Sequence, residues 1–230
     1  MEIILKTLVG SRLHGLCNEK SDYDWRGIFK EGLIDIISPF RKQRSNSFIE
    51  GQEDDTSYEL THFCKLASQC NPTVLEVLWS HIIKEKDSSG ISDALIDNRH
   101  KFLDSKRIYL AHLGYAENQV KKMNLYNPDM HRTPKTIVAY IRVMRQGEEL
   151  IRTGEFDPVY NYLDRDFIME VKYNFNEKLI PEISKKMYEV RTSLEETHAK
   201  FGGRFEVDTE WIENFLVETY VNDYQDERMD

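Results

Sequence analysis

The chain has 230 residues, of which 40% are hydrophobic and 31% are charged, a composition typical of a folded globular protein with a sizeable core. Its 40 acidic and 31 basic side chains give a formal net charge of -9. This charge argues against a broad basic surface for wrapping nucleic acid, because such binding depends on neutralising phosphates. A local basic groove remains compatible with the composition.

The cysteines and the apolar runs indicate the cellular environment. Cys17, Cys64 and Cys70 form no CxxC pair, so neither a zinc site nor a disulfide framework is predicted. No apolar run approaches the roughly 20 residues that span a bilayer. The N-terminal sequence lacks the cationic start of a signal peptide. We therefore expect a reduced, cytoplasmic protein without a membrane segment.

Two strands are predicted near the N-terminus. Ile3 to Val9 is apolar and rich in branched side chains, which is typical of a buried strand, and Gly10 ends it. A short helix is expected from Ser11 to Leu16. Asp24 to Phe29 begins with alternating polar and apolar residues, which predicts a strand with one polar face.

A loop, a third strand and two helices are predicted next. Arg41 to Glu53 has few apolar residues, so we expect an exposed, mobile loop that is either a solvated charge cluster or a basic flap near phosphates. Thr56 to Tyr58 is predicted as a short strand, and Leu60 to Ala67 follows helical spacing. Asn71 and Pro72 fit the N-cap and the first position of another helix.

The remaining sequence is almost entirely helical in pattern. Helices are predicted at 109–123, 133–154, 164–175 and 182–200, with a final helix from about residue 208. The fold class predicted is α+β. An α/β region is expected in residues 1–104, followed by a mostly helical domain in residues 105–230.

The first two predicted strands carry residues suited to phosphate and metal binding. Gly10 and Ser11 follow a buried strand, where backbone N–H groups can cradle phosphate. Asp22 and Asp24 are spaced i, i+2, so their carboxylates point to the same face of a strand. Carboxylate oxygens are the ligands that magnesium prefers. An isolated D-x-D is usually a solvated turn, and the Gly-Ser turn upstream is what favours a site here.

Two other enzyme classes are disfavoured by spacing. Gly10 to Gly15 has the glycine spacing of a Walker loop, but Leu16 and Cys17 stand where that motif requires Lys and Ser or Thr. A P-loop ATPase is therefore not predicted. The seven histidines show no H-E-x-x-H spacing, so a zinc hydrolase has no support either.

Two motifs carry a resemblance to a known family. Gly-Ser-Arg-X-X-Gly spans Gly10 to Gly15, and Ser-Asp-X-Asp-X-Arg-Gly spans Ser21 to Gly27. Together they resemble the DNA polymerase β-like nucleotidyltransferase superfamily, and more narrowly the RNA-repair-pathway polymerase β proteins of bacteria and phages. Weaker similarity extends to residues 58–63, 71–72, 75–78, 135 and 140–142.

The resemblance implies an enzyme that moves a nucleoside monophosphate from a nucleoside triphosphate such as ATP to an acceptor hydroxyl. It implies a small mixed β-sheet with flanking helices as the catalytic core, and a helical domain that closes over the active site. It also implies two magnesium ions, or manganese in their place. The implied acceptor is an RNA 3′ end or a tRNA, with a small molecule or a protein as alternatives. Fold resemblance alone does not establish a substrate. A catalytically inactive module that binds nucleotide or a partner is therefore the alternative, and a helical interaction protein ranks third.

The resemblance also implies a carboxylate triad. Asp22 and Asp24 would hold both metals, and a third carboxylate would come from the next core strand. Asp55 is the residue we predict for this catalytic and metal-binding role, because it begins the strand-like segment before the helix. Asp54 is one register away and would face the opposite side, and Glu59 is expected to cap or solvate the helix.

Six residues are predicted to bind the nucleotide. Gly10 and Ser11 would contact the β- and γ-phosphates. The other four are basic, and each has a structural alternative, either solvation or an internal ion pair: Arg12, Arg26, Lys135 and Arg142.

Overall fold

The structure, a computed structural model, describes residues 2–40, 45–50, 53–121, 123 and 132–226. Within these ranges the chain forms strands β1 (Glu2–Val9), β2 (Tyr23–Lys30), β3 (Ser45–Glu50), β4 (Glu53–Glu59) and β5 (Ile83–Lys86). Its first five helices are α1 (Gly10–Leu13), α2 (Leu33–Ile37), α3 (Leu60–Ser68), α4 (Pro72–Trp79) and α5 (Ile91–Asp97). The later helices are α6 (Ser105–Lys121), α7 (Arg132–Thr153), α8 (Arg165–Asn174), α9 (Ile180–Phe201) and α10 (Thr209–Asp226).

The strands form one mixed sheet in the order β3-β4-β2-β1-β5. The β2–β4 pair is parallel, and the other three pairs are antiparallel. A mixed sheet followed by many helices confirms the predicted α+β class with a helical C-terminal region. The apolar run predicted as a buried strand contributes to the core. Ile4, Leu5 and Val9 on β1 are at most 2% exposed.

Helix α3 follows β4 directly and packs against β2 and β4. Its apolar stripe of Leu60, Phe63 and Ala67 is fully buried. Glu59 caps the helix, since its carboxylate accepts the backbone N–H groups of Thr61 and His62 at 3.0 and 3.2 Å. The expectation that Glu59 caps this helix is confirmed.

The edge strands were not predicted. Ser45–Glu50 was expected to be part of a loop, but it forms β3 and pairs with β4, Ser45 opposite Tyr58. Residues 41–44 and 51–52 of the expected loop, including its basic cluster, lie outside the described residues. Strand β5 is exposed along its whole length, so no apolar alternation marks it in the sequence.

By internal contacts the chain forms two compact units. The first contains Met1–Gln69, Thr73–Leu103 and Val207–Asp230, and the second contains Cys70–Pro72 and Asp104–Glu206. Helix α10 thus groups with the sheet, and the division into domains 1–104 and 105–230 stays a prediction. None of the helices in the described ranges is long and apolar enough to cross a membrane.

Candidate active site

The turn after β1 is shaped by a close approach between Gly10 and Asp24. Val9 pairs with Asp24 across the β1–β2 ladder, and Gly10 then starts α1 with a φ of +69°. A Cβ atom at Gly10 would lie 2.1 Å from Oδ2 of Asp24. The carboxylate of Asp24 therefore packs directly on the Gly-Ser turn, and only glycine fits there.

Gly10→Ala is expected to destabilise the protein by about 2 kcal/mol, because the substitution combines a positive φ with a steric clash. It should also weaken triphosphate binding, since the turn must move away from Asp24. Urea unfolding and a triphosphate-binding titration measure the two effects. Gly114→Ala is the matched control: a Cβ there meets no atom within 4 Å, and alanine should stabilise α6 by about 0.8 kcal/mol. A Gly10→Ala protein as stable as wild type would contradict this packing.

Asp24 of the D-x-D motif is the second residue of β2, and Asp22 immediately precedes the strand. Asp22 is exposed and Asp24 is half-buried. Arg12 and Ser11, predicted to bind nucleotide, lie on α1 beside this strand end, and Arg12 donates from its guanidinium to the carbonyl oxygens of Ser21 and Asp22. The structure thus brings the two predicted motifs together at one end of the sheet.

The register between β2 and β4 determines which carboxylate of β4 lies on the same face of the sheet as Asp24. The pairs along this parallel ladder are Asp24 with Asp54 and Trp25 with Asp55. Paired residues share a face of the sheet, and neighbours alternate between faces. Asp54 therefore lies on the face of Asp24, and Asp55 lies on the opposite face.

The environment of Asp55 differs from that of the exposed Asp54. Its Oδ2 lies 2.8 Å from Nζ of Lys6, and the two side chains are only 6% and 12% exposed. Oγ of Ser57 also donates to Oδ1 of Asp55 at 3.2 Å. Lys6 on β1 is opposite Gly27 on β2, and Asp55 lies on the next strand, β4. Lys6 therefore reaches Asp55 across a position of β2 that has no side chain. Asp55 is thus half of a buried ion pair.

Burial and like charge both act on Asp24. Burial raises the pKa of Asp24, and the nearby carboxylate of Asp54 raises it further. Arg26 opposes the shift, and Asp22 and Glu76 add smaller contributions in the same direction as burial. Asp54 and Asp22 thus both add negative charge at Asp24, and a bound cation would offset it.

Arg26 is two residues after Asp24 on β2, so both side chains lie on the same face of the sheet. It is half-buried, and its Nη1 donates to the hydroxyl of Tyr58 at 3.4 Å. The charge of Arg26 lowers the pKa of Asp24. Arg26 can therefore balance the carboxylates, while its contact with nucleotide stays a prediction.

Glu76 of α4 is a buried neighbour of the site that the sequence analysis missed. It is 3% exposed, and its Oε1 lies 3.6 Å from Nε2 of His14, which is 2% exposed. His14 follows α1, so this pair supports the phosphate turn from within the core. A glutamate between Leu75 and Val77 in an apolar helix is the signal that marks it.

Lys135 and Arg142 belong to the second compact unit, on α7. Lys135 is exposed in the first turn of the helix. Arg142 is 8% exposed and donates from Nη1 to Oε1 of Gln146 at 2.7 Å. Arg142 is therefore an internal residue of its unit rather than a surface charge, and the predicted nucleotide contacts of both residues stay predictions.

Across the described part of the chain, no three His, Cys, Asp or Glu side chains form a ready-made metal site. The donor chemistry nevertheless fits magnesium, because Asp22, Asp24 and Asp54 offer only carboxylate oxygens.

Comparison with known proteins agrees with the motifs. An uncharacterised 38.9 kDa protein in the nrdC–mobD intergenic region of Enterobacteria phage T4 is 26% identical over 132 residues, 53% of this chain. The aligned part is 39% of the phage protein, so the chain spans about two fifths of that relative. The profile of the RlaP family, described as the RNA repair pathway DNA polymerase beta family, matches residues 1–216. The chain belongs to the RNA repair pathway DNA polymerase β family.

Proposed function

We propose that this protein is a nucleotidyltransferase that transfers a nucleoside monophosphate from a nucleoside triphosphate to an RNA 3′ hydroxyl. The observation that carries the proposal is the pairing of Asp24 with Asp54 on one face of the sheet, with Gly10 packed against Asp24. The family name supports both the polymerase β-like chemistry and a substrate connected with RNA repair.

The proposed metal ligands are Asp22, Asp24 and Asp54, which would hold two magnesium or manganese ions. Such ions, when bound, neutralise phosphate charge and make the attacking hydroxyl more acidic. Asp55 is not proposed for this role, because its carboxylate is already paired with Lys6.

The remaining roles follow from position. Backbone N–H groups at Gly10 and Ser11, which open α1, are proposed to bind the outer phosphates of the triphosphate. Asp54 is the carboxylate proposed to orient the acceptor hydroxyl and take its proton, since it is exposed and accessible. Arg26 would balance the charge of the carboxylates while the substrate is absent. Positioning and charge together are the main requirements of phosphoryl chemistry.

The test is transfer of label from each α-³²P nucleoside triphosphate, with magnesium, to the RNA, protein and small-molecule fractions of a cell extract. We expect label in RNA, and loss of that label with Asp22→Asn/Asp24→Asn. Asp97→Asn removes an exposed carboxylate of the same unit and should transfer normally. Transfer by the double variant at the wild-type rate would contradict the proposed metal ligands. Triphosphate binding without transfer to any fraction would instead favour the inactive binding module.

A further inference from the structure

Arg12 makes a set of contacts that the expected phosphate contact does not explain. Its Nε donates to the carbonyl oxygen of Ser21 at 3.1 Å and to that of Asp22 at 3.2 Å. Its Nη2 donates to the same Ser21 oxygen at 2.6 Å. Its guanidinium carbon lies 3.9 Å from the centroid of the Tyr23 ring. One side chain therefore contacts three successive residues at the start of the D-x-D motif.

The turn before the motif is closed by its own hydrogen bonds. Ser21 N–H donates to the carbonyl oxygen of Asn18 at 3.1 Å, and Asn18 N–H donates to Oγ of Ser21 at 3.0 Å. Lys20 N–H donates to Oδ1 of Asn18 at 3.0 Å. These bonds shape the turn internally, whereas Arg12 connects the turn to α1 and hence to Gly10 and Ser11.

We propose that Arg12 is a positioning residue that fixes the D-x-D backbone against the phosphate turn, and that it does not bind the nucleotide itself. This inference rests on the proposed function of the same site. It deepens that function, because it proposes that one side chain sets the distance between the metal ligands and the phosphate turn. The two ends of the connection are the Gly10–Asp24 contact and the Arg12 contacts with Ser21 and Asp22.

The chemistry of arginine explains why this residue type is needed. A guanidinium is planar, so it can donate in its plane to carbonyl oxygens while its face stacks on an aromatic ring. A lysine ammonium carries the same charge but has no such plane. To bind phosphate directly, Arg12 would exchange three hydrogen bonds to carbonyl oxygens for new ones.

Three variants separate positioning from direct phosphate binding. Arg12→Ala removes both the charge and the contacts, and Arg12→Lys keeps only the charge. Lys20→Ala is the matched control, because it removes an exposed positive charge from the same turn. Each protein is measured for amide hydrogen exchange over residues 18–24 without metal, for Mn²⁺ affinity by electron paramagnetic resonance, and for triphosphate affinity in EDTA.

We expect both Arg12 variants to exchange faster over residues 21–24 and to bind Mn²⁺ about tenfold more weakly, as for other residues that orient metal ligands. Their triphosphate affinity in EDTA should stay within about twofold of wild type, and saturating Mn²⁺ should restore activity. Lys20→Ala should match wild type throughout. Loss of triphosphate affinity in Arg12→Ala that Arg12→Lys restores would overturn the proposal in favour of direct phosphate binding.

Unchanged exchange and unchanged Mn²⁺ affinity in both Arg12 variants would also overturn it. If Arg12→Ala does not fold, Arg12→Lys and Tyr23→Leu, which removes the stacked ring, make the same comparison. Failure of wild-type protein to bind Mn²⁺ or triphosphate would contradict the proposed function instead. In that case the exchange measurement still tests whether Arg12 fixes the turn.

Discussion

Asp54→Asn is expected to reduce nucleotidyl transfer by at least about 10³-fold while the fold stays intact. A carboxylate that holds catalytic metal supplies several kcal/mol of charge stabilisation in the transition state, and each 1.36 kcal/mol corresponds to a factor of ten in rate. Stability should be nearly unchanged, because Asp54 is exposed on β4. Transfer rate at saturating triphosphate and thermal unfolding measure the two quantities.

The control for Asp54→Asn is Asp97→Asn, which should leave both the rate and the stability near wild type. Asp54→Asn protein with a wild-type rate would show that a different group completes the site. A variant that unfolds instead would contradict the exposed position of Asp54 in the sheet.

Asp55→Asn should have the opposite profile, with transfer retained and stability lowered by about 2 kcal/mol. Removing Asp55 takes away the buried partner of Lys6. Lys6 keeps its half-exposed partner Glu85 at 3.3 Å, so the loss lies between that of exposed and fully buried pairs. Burial by itself lowers the pKa of Lys6, but the hydrogen bonds and charges of Asp55 and Glu85 together outweigh it, so the pKa is raised overall. Urea unfolding measures the loss.

A second variant tests whether the charge left behind causes that loss. Lys6→Met/Asp55→Leu removes both charges and should recover most of the stability lost in Asp55→Asn, since an apolar pair leaves no buried charge unpaired. Loss of transfer in Asp55→Asn at wild-type stability would contradict the structural role and return Asp55 to the triad.

Sequence patterns predicted the elements whose signals are local. The apolar run of β1, the Asn71-Pro72 start of α4 and the helical stripe of α3 each depend on neighbouring residues alone, and the structure confirms all three. Strands β3 and β5 were missed because an edge strand needs little apolar surface. Strand β5, Ile83–Lys86, is exposed throughout, and its sequence lacks the alternation of apolar and polar residues that would mark a strand.

The third carboxylate shows where local patterns stop being sufficient. Alternation along β4 correctly places Asp54 and Asp55 on opposite faces, but it does not say which face Asp24 occupies. That choice depends on the parallel register between β2 and β4, strands separated by more than twenty residues of sequence. The ion pair between Lys6 and Asp55 also depends on residues distant in sequence. It joins β1 to β4 across β2, at the position of Gly27, and no local pattern around Asp55 predicts it.

The most direct measurement is a crystal structure of the protein with Mn²⁺ and a non-hydrolysable nucleoside triphosphate, analysed by manganese anomalous scattering. We predict anomalous peaks within coordination distance of Asp22, Asp24 and Asp54, beside phosphates that contact Gly10 and Ser11. The Lys6–Asp55 ion pair should remain intact in that structure. Manganese bound by Asp55, or a triphosphate bound away from the Gly10 turn, would contradict the proposed site.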